Sequence, residues 1–422
     1  MIIIIAMIVF FFIGVPIAFT LGAVGILAIY INESAKIAIA PLMIFNGSEV
    51  YSLIAIPLFI LMGELMHRSS LANKIIDFAG SLVGFVKGGL GMATIVAGMG
   101  MAAISGSSVA DAAALGSVMI PQMEKHGYSK PISVAIVSVG ATIAQIIPPS
   151  ITFILYGVIA GVSIGRLFIA GFLPGIIMGV FLMLVIYRIA IKNNLPIISS
   201  FNFKRIFVTF KDAFLSLLLP IIVIGGILGG FFTPTEAGAA GVTYALLLSM
   251  LIYREINFRA LIDALRITAK RSAIVLLMVG ASALLGWFLV SEQIPLKIAN
   301  LILSISESKF VIILLMDLLL LIAGMFLHGT PLIIIFVPIT VPIAKMIGLD
   351  LIQFGIMFAF CISIGQVTPP VASVLMTTSA IGEIDVDKIV PCLMPLLLAM
   401  ILVLLLVSFM SGISTFLPNL LM

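Results

Sequence analysis

Two short stretches, Pro148–Ser150 and Thr368–Pro370, interrupt apolar runs with a proline pair and a hydroxyl, and a glutamine, Gln145 or Gln366, stands one helical turn before each. Proline removes an amide donor and crowds the preceding turn, so it ends or kinks a helix. Each stretch therefore exposes backbone groups that apolar surroundings cannot satisfy; protein, water or bound solute must supply their partners. The carbonyls of Pro148, Pro149, Ser150, Thr368, Pro369 and Pro370, with the hydroxyls of Thr142, Ser150, Ser363 and Thr368, are hard oxygen ligands of the kind Na⁺ accepts. Two further turns offer complementary chemistry. SGSSVAD carries Ser105, Gly106, Ser107 and Ser108, and HGT carries His328, Gly329 and Thr330. Amide groups that open a helix attract anions, and His328 adds an imidazole that can titrate or contact one. The bland readings are a capped helix start at SGSSVAD, a structural histidine, and glutamines that satisfy backbone freed by the prolines.

These two sets are copies. Pro121, Gly127, Gln145, Pro148, Pro149, Gly161 and Pro174 recur, each 221 positions later, as Pro342, Gly348, Gln366, Pro369, Pro370, Gly382 and Pro395. Helices interrupted at matching places in a duplicated membrane half are the pointer to the binding site of a secondary transporter.

The elements that position these residues must be membrane helices. Of 422 residues, 63% are hydrophobic and 9% charged, more apolar surface than a soluble core can absorb. Runs such as Ile2–Ile31, Leu167–Ile191, Ala213–Gly230 and Ile389–Phe409 are long enough to cross about 30 Å of hydrocarbon as helices. The stretch Gly88–Met123 is divided by SGSSVAD into arms of about 15 residues, too short to cross, which predicts a re-entrant hairpin. A second hairpin is expected over Phe310–Met346, with its tip at His328–Pro331. Pro131–Ile147 and Leu351–Val367 lead into the two breaks, and Ile151–Val162 and Val371–Ile381 lead out. Ser69–Lys87 and Glu292–Lys309 read as amphipathic arms on the membrane surface.

The predicted fold is an all-α polytopic membrane protein of inverted repeats, with two re-entrant hairpins and two Pro-Pro-broken helices. Residues 1–87 form N-terminal scaffold spans and an arm, and 88–165 the first transport half. Residues 166–309 form scaffold spans and the second arm, 310–381 the second transport half and 382–422 the C-terminal span. Five crossings between the copies invert the second. That topology puts 16 Lys/Arg on the side of two basic loops, around Arg188–Lys211 and Arg254–Arg271, and 5 on the other, so the crowded side is expected to be cytoplasmic. Glu236 in FTPTEAG reads as a helix cap before it reads as a membrane carboxylate, and Gly171, Gly175 and Gly179 as a close-packing face.

Several classes are excluded by what the sequence lacks. The net charge of +4 is scattered between spans, which speaks against nucleic acid. Cys361 and Cys392 lie in apolar segments and suit neither a disulfide framework nor zinc. His67, His126 and His328 have no metal-ligand spacing, and no phosphate-binding loop or nucleophile elbow is present, so neither an enzyme nor an ATP-driven pump is expected and no cofactor beyond Na⁺ as coupling ion.

The blocks Ile104–Ser129, Ile146–Gly157, Gly171–Gly179, Gly229–Leu246 and Ile364–Leu375, in that order, resemble the large membrane subunit of tripartite ATP-independent periplasmic (TRAP) transporters over essentially the whole chain. The resemblance implies an elevator-type permease of the bacterial or archaeal cytoplasmic membrane, driven by Na⁺. It also implies a small four-helix membrane subunit and a periplasmic solute-binding protein that delivers organic acids such as C4-dicarboxylates or sialic-acid-like carboxylates. By matching motif, Na⁺ and substrate fall on Ser105–Ser108, Pro148–Ser150 and Thr368–Pro370. The chain departs from the pattern at His328, where an acidic residue is expected, and at Cys361, where asparagine is frequent. The competing readings are a self-sufficient divalent-anion/Na⁺ symporter of the same architecture, or an ion channel, for which the spans lack a polar stripe.

Overall fold

The computed structural model describes all residues except 1–5, 8, 11–12, 33–36, 198–199, 295, 299–305 and 307. The start of the expected first span, Glu33 and Lys36 of the connection after it, and half of the second arm lie outside the described residues. After the Gly14–Pro16 interruption come α1 (Ile17–Asn32), α2 (Ile39–Ser48), α3 (Ala55–His67) and the amphipathic α4 (Leu71–Val83). The first hairpin is α5 (Gly89–Ser105) and α6 (Ser108–Lys125). Then follow α7 (Lys130–Thr142), which tightens into a 3₁₀ turn at Ile143–Gln145, and α8 (Ile151–Ala160) beyond the break. Long helices α9 (Ile164–Lys192), α10 (Phe203–Leu228), α11 (Pro234–Leu246) and α12 (Phe258–Ser291) separate the copies. The second hairpin is α13 (Lys309–Phe326) and α14 (Gly329–Met346), and α15 (Leu351–Gly365) and α16 (Ser373–Gly382) flank its break. The chain ends in α17 (Val386–Phe409) and α18 (Ser411–Leu421). Among the described residues seven helices are long and apolar enough to cross a membrane, or eight if Ile39–Ser48 and Tyr51–His67, bent by 56°, form one span.

Several boundaries differ from expectation for physical reasons. The hairpin arms are 17 and 18 residues in the first copy and 18 each in the second, not about 15, because helix persists up to a two-residue turn and through Pro121, Pro338 and Pro342. Length alone therefore does not make them re-entrant. Lys204, Arg205 and Lys211 are not in a loop but on α10, and Arg259, Arg266, Lys270 and Arg271 extend α12 to 34 residues. Exposed basic side chains continue a helix past the hydrocarbon at little cost. Helices α2 and α18 were not foreseen from the sequence. The Glu236 expectation holds: Thr233 and Glu236 form a reciprocal capping box at the start of α11.

Packing repeats with the sequence. In each copy the first hairpin arm lies on the helix before the break, α5 on α7 and α13 on α15. The contacts are backbone to backbone, since a Cβ on Gly98 would stand 2.4 Å from the Gly140 carbonyl oxygen, and one on Gly365 2.5 Å from that of Gly324. The second arms exchange partners: α6 packs on α16, beyond the second break, and α14 on α8, beyond the first. Helix α12 instead packs on α1, α2 and α3. The glycine face of α9 closes on the first break, with Gly171 and Gly175 under Ile146 and Ile147 and Gly179 under Met99.

Candidate functional site

The breaks place their two glutamines against each other. Gln145 Nε2 lies 3.5 Å from Gln366 Oε1 and donates to Ser108 Oγ at 2.7 Å, while Ser108 Oγ donates to Gln366 Oε1. Thr152 Oγ1 donates to Gln145 Oε1, and Ser150 Oγ to the Gln145 carbonyl at 2.9 Å. One turn earlier Ser363 Oγ donates to the Thr142 carbonyl at 3.1 Å. Both Gln145/Gln366 and Thr142/Ser363 are separated by the repeat offset of 221. Equivalent positions can touch each other only near a two-fold axis, so this junction is the centre of the repeat. All of these side chains are buried, and burial makes each bond expensive to lose.

Each hairpin tip reaches a break. Gly106 adopts φ +59°, and a Cβ there would stand 2.7 Å from the Pro149 carbonyl oxygen, so glycine is required for both the turn and the approach. In the second copy the Val371 amide, just past the break, donates to the Met325 carbonyl of the hairpin at 3.2 Å. Ser107 and His328 occupy equivalent N-cap positions of α6 and α14. His328 Nδ1 accepts from the Gly329 amide at 2.7 Å and lies 3.4 Å from Gln366 Nε2. Ser107, by contrast, makes no side-chain cap bond. Both X-Pro bonds in the breaks, Pro148–Pro149 and Pro369–Pro370, are cis.

A cavity of about 480 Å³ opens beside this junction, lined by Ser105, Ser107, His328 and Thr330 of the tips and by Thr377 of α16. Its lining also includes Glu64 and His67 of α3 and Arg271 of α12. Behind the first tip, Asp111 is fully buried: Oδ1 accepts from Ser105 Oγ at 2.6 Å and lies 3.6 Å from His67 Nε2.

The structure thus brings the predicted residues together in two layers. Ser105, Ser107, His328 and Thr330 face the cavity, whereas Ser108, Gln145, Ser150, Ser363 and Gln366 are bonded to one another or to backbone inside the junction. Thr368 Oγ1 is committed to its own helix at Ile364, and Pro148, Pro149, Pro369 and Pro370 shape the breaks without lining the cavity. Among the described residues no cluster of three His, Cys, Asp or Glu suits a metal ion. Reading from sequence missed Asp111 as more than a capping charge, and it missed Glu64, His67, Arg271 and Thr152. Another missed carboxylate, Asp317, sits buried in α13 with Ser408 donating to Oδ2 at 2.7 Å. An ionisable residue inside an apolar helix was the available signal.

Apolar spans, duplicated breaks meeting on an axis and a cavity beside them that carries hydroxyls, an imidazole and an arginine define a multi-pass membrane transporter. The family profile of the tripartite ATP-independent periplasmic transporter, DctM component, matches residues 4–413, and the chain belongs to that family. It is a large permease subunit of the inner membrane and not an enzyme. It is 37% identical over 383 residues, 91% of this chain and 90% of the relative, to the 2,3-diketo-L-gulonate TRAP transporter large permease protein YiaN of Escherichia coli. It is 35% identical over 411 residues, 97% and 96% of the two chains, to the sialic acid TRAP transporter large permease protein SiaM of Vibrio cholerae. The crystal structure of the Alcanivorax borkumensis YdaH transporter is similar at a TM-score of 0.60 over 87% of each chain; at 13% identity that likeness concerns the fold.

Proposed function

We propose that this chain is the solute-translocating subunit of a Na⁺-coupled, binding-protein-dependent importer of organic acids. One observation carries the reading: both hairpin tips, each set against a repeat-related break, line one cavity of about 480 Å³, a size that suits a small organic acid. The relatives named for a diketogulonate and for sialic acid support a carboxylate substrate. Na⁺ is held by carbonyl and hydroxyl oxygens at the tips and breaks, and the carboxylate by the opening amides of α6 and α14. A periplasmic solute-binding protein delivers the acid, a small four-helix membrane subunit completes the scaffold, and the re-entrant hairpins move with the breaks as an elevator.

Proteoliposomes holding this chain and its small subunit should take up labelled succinate or N-acetylneuraminate only with a Na⁺ gradient and added binding protein. Substrate affinity should also fall by about 5–150-fold in choline, the range of common coupling energies. Uptake without the binding protein would exclude the tripartite reading, and undiminished uptake in choline the Na⁺ coupling.

The unbonded hydroxyl of Ser107 is the better ion ligand at the first tip, because Ser108 is already engaged by both glutamines. Ser107→Ala should raise the Na⁺ concentration needed for half-maximal uptake several-fold while leaving thermal stability near wild type. Ser108→Ala should lower the unfolding temperature instead. An unchanged Na⁺ response in Ser107→Ala would remove that hydroxyl from the ion site.

A further inference from the structure

Part of the cavity lining belongs to α3 and α12, elements outside both hairpins and both breaks. There Glu64 faces two guanidinium groups. Its Oε1 accepts from Arg68 Nε at 3.0 Å and its Oε2 from Arg271 Nη1 at 3.2 Å. One carboxylate between two arginines leaves a formal charge of +1. Arg271 lines the cavity, its side chain is 53% exposed, and Nη1 is its one donor bonded to protein. In the same lining, Ser107, His328 and Thr330 mark the N-terminal ends of two 18-residue helices, each equivalent to about half a positive charge. Three positive features of independent origin thus converge on one cavity.

A strut between α3 and α12 is the plainer role for Arg271, but Glu64, 12% exposed, already has Arg68 as a partner, and the Arg271 end of the pair is open to solvent. A planar guanidinium with donors to spare is suited to hold a carboxylate by two parallel hydrogen bonds. We propose that Arg271 is a specificity-determining ligand for the carboxylate of the transported acid, with Glu64 as the counter-ion that occupies it when the site is empty. This rests on the organic-acid reading above and deepens it. Two sources then hold the acid: the tips contribute amides and hydroxyls, and α12 contributes the one permanent cation among the described lining residues. The substrate carboxylate and Glu64 compete for the donors of Arg271, so the two acidic partners set the affinity between them.

The test is calorimetric titration of the purified complex, in Na⁺, with succinate and N-acetylneuraminate as probes. Arg271→Gln should weaken binding of the probe that wild type binds at least tenfold, and Arg271→Lys should recover part of the loss. Glu64→Gln should tighten binding several-fold by releasing the guanidinium. Opposite effects from the two ends of one ion pair cannot come from a strut, whose loss from either side would weaken binding and lower the unfolding temperature alike. That parallel loss, or wild-type affinity in Arg271→Gln, would overturn the assignment while leaving the transport reading intact. Failure of wild type to bind either probe would overturn both.

Discussion

Gln366→Leu should abolish uptake and destabilise the protein by about 2–4 kcal/mol, since it strands several buried polar groups that cost roughly 1–3 kcal/mol each. Ser108 Oγ would lose its acceptor, Gln145 Nε2 its second neighbour, and His328 the amide 3.4 Å from its ring. Because these groups come from the first hairpin, the first break and the second hairpin, one substitution loosens all of them. Gln145→Leu should do similar damage through Ser108 and Thr152. Thr378→Val is the control. It deletes a buried bond to Ser138 of 2.6 Å, but Ser138 keeps its bond to the Val134 carbonyl, so little uptake and stability should be lost. Thermal unfolding in detergent, read with uptake, checks the set; a Gln366→Leu protein with normal uptake would show that the junction is not the working centre.

Gly98→Val and Gly365→Val should each prevent correct seating of a hairpin. The added carbon would meet backbone at 2.4 Å in the first copy and 2.5 Å in the second, and backbone inside two packed helices cannot swing aside as a side chain can. Overpacking of this kind costs about 1–3 kcal/mol or more. It should also displace the tips, so uptake should fall further than stability. Gly225→Ala, on α10 with nothing within 4 Å, should be neutral or slightly stabilising. Uptake at wild-type levels in Gly98→Val would mean that the tip does not depend on this contact.

The parts of the fold legible in the sequence were those written in residues with few alternatives. Pro148–Pro149 and Pro369–Pro370 mark the breaks because a proline pair removes two successive amide donors and bars its first residue from the helical region, where a single proline such as Pro121 is carried inside a helix, and Gly106 marks a tip because φ +59° suits few other residues. Hydrophobic runs located the spans but not their ends: the 34-residue α12 begins well before its apolar portion, since Arg259, Arg266 and Lys270 obey helix geometry as readily as leucines do. The part of the cavity lining that α3 and α12 supply was illegible for a related reason. Glu64 and His67 stand in the last turn of α3, and Arg271 follows the other basic residues of α12 just before its apolar portion, places where charges ordinarily report only topology. Nothing local reveals that α3 and α12 bring Glu64 and Arg271, 207 positions apart, into contact. Conversely, Ser108, Gln145 and Gln366 were recognised as polar residues in apolar surroundings, but their mutual bonding required the fold.

Gln145 meeting Gln366 has a consequence for how such a molecule can arise. In an isologous contact between two identical halves, a residue on the axis faces its own image, so it must be able to bond to itself. A carboxylate would face a carboxylate and a lysine a lysine, whereas a carboxamide carries donor and acceptor on one group and can complete the pair alone. Joining both halves in one chain removes that demand, because each position can then change without its image. The junction already departs from symmetry where the axis no longer enforces it: Ser107 is answered by His328, and Thr152, bonded to Gln145, by Ser373, whose buried hydroxyl has no partner.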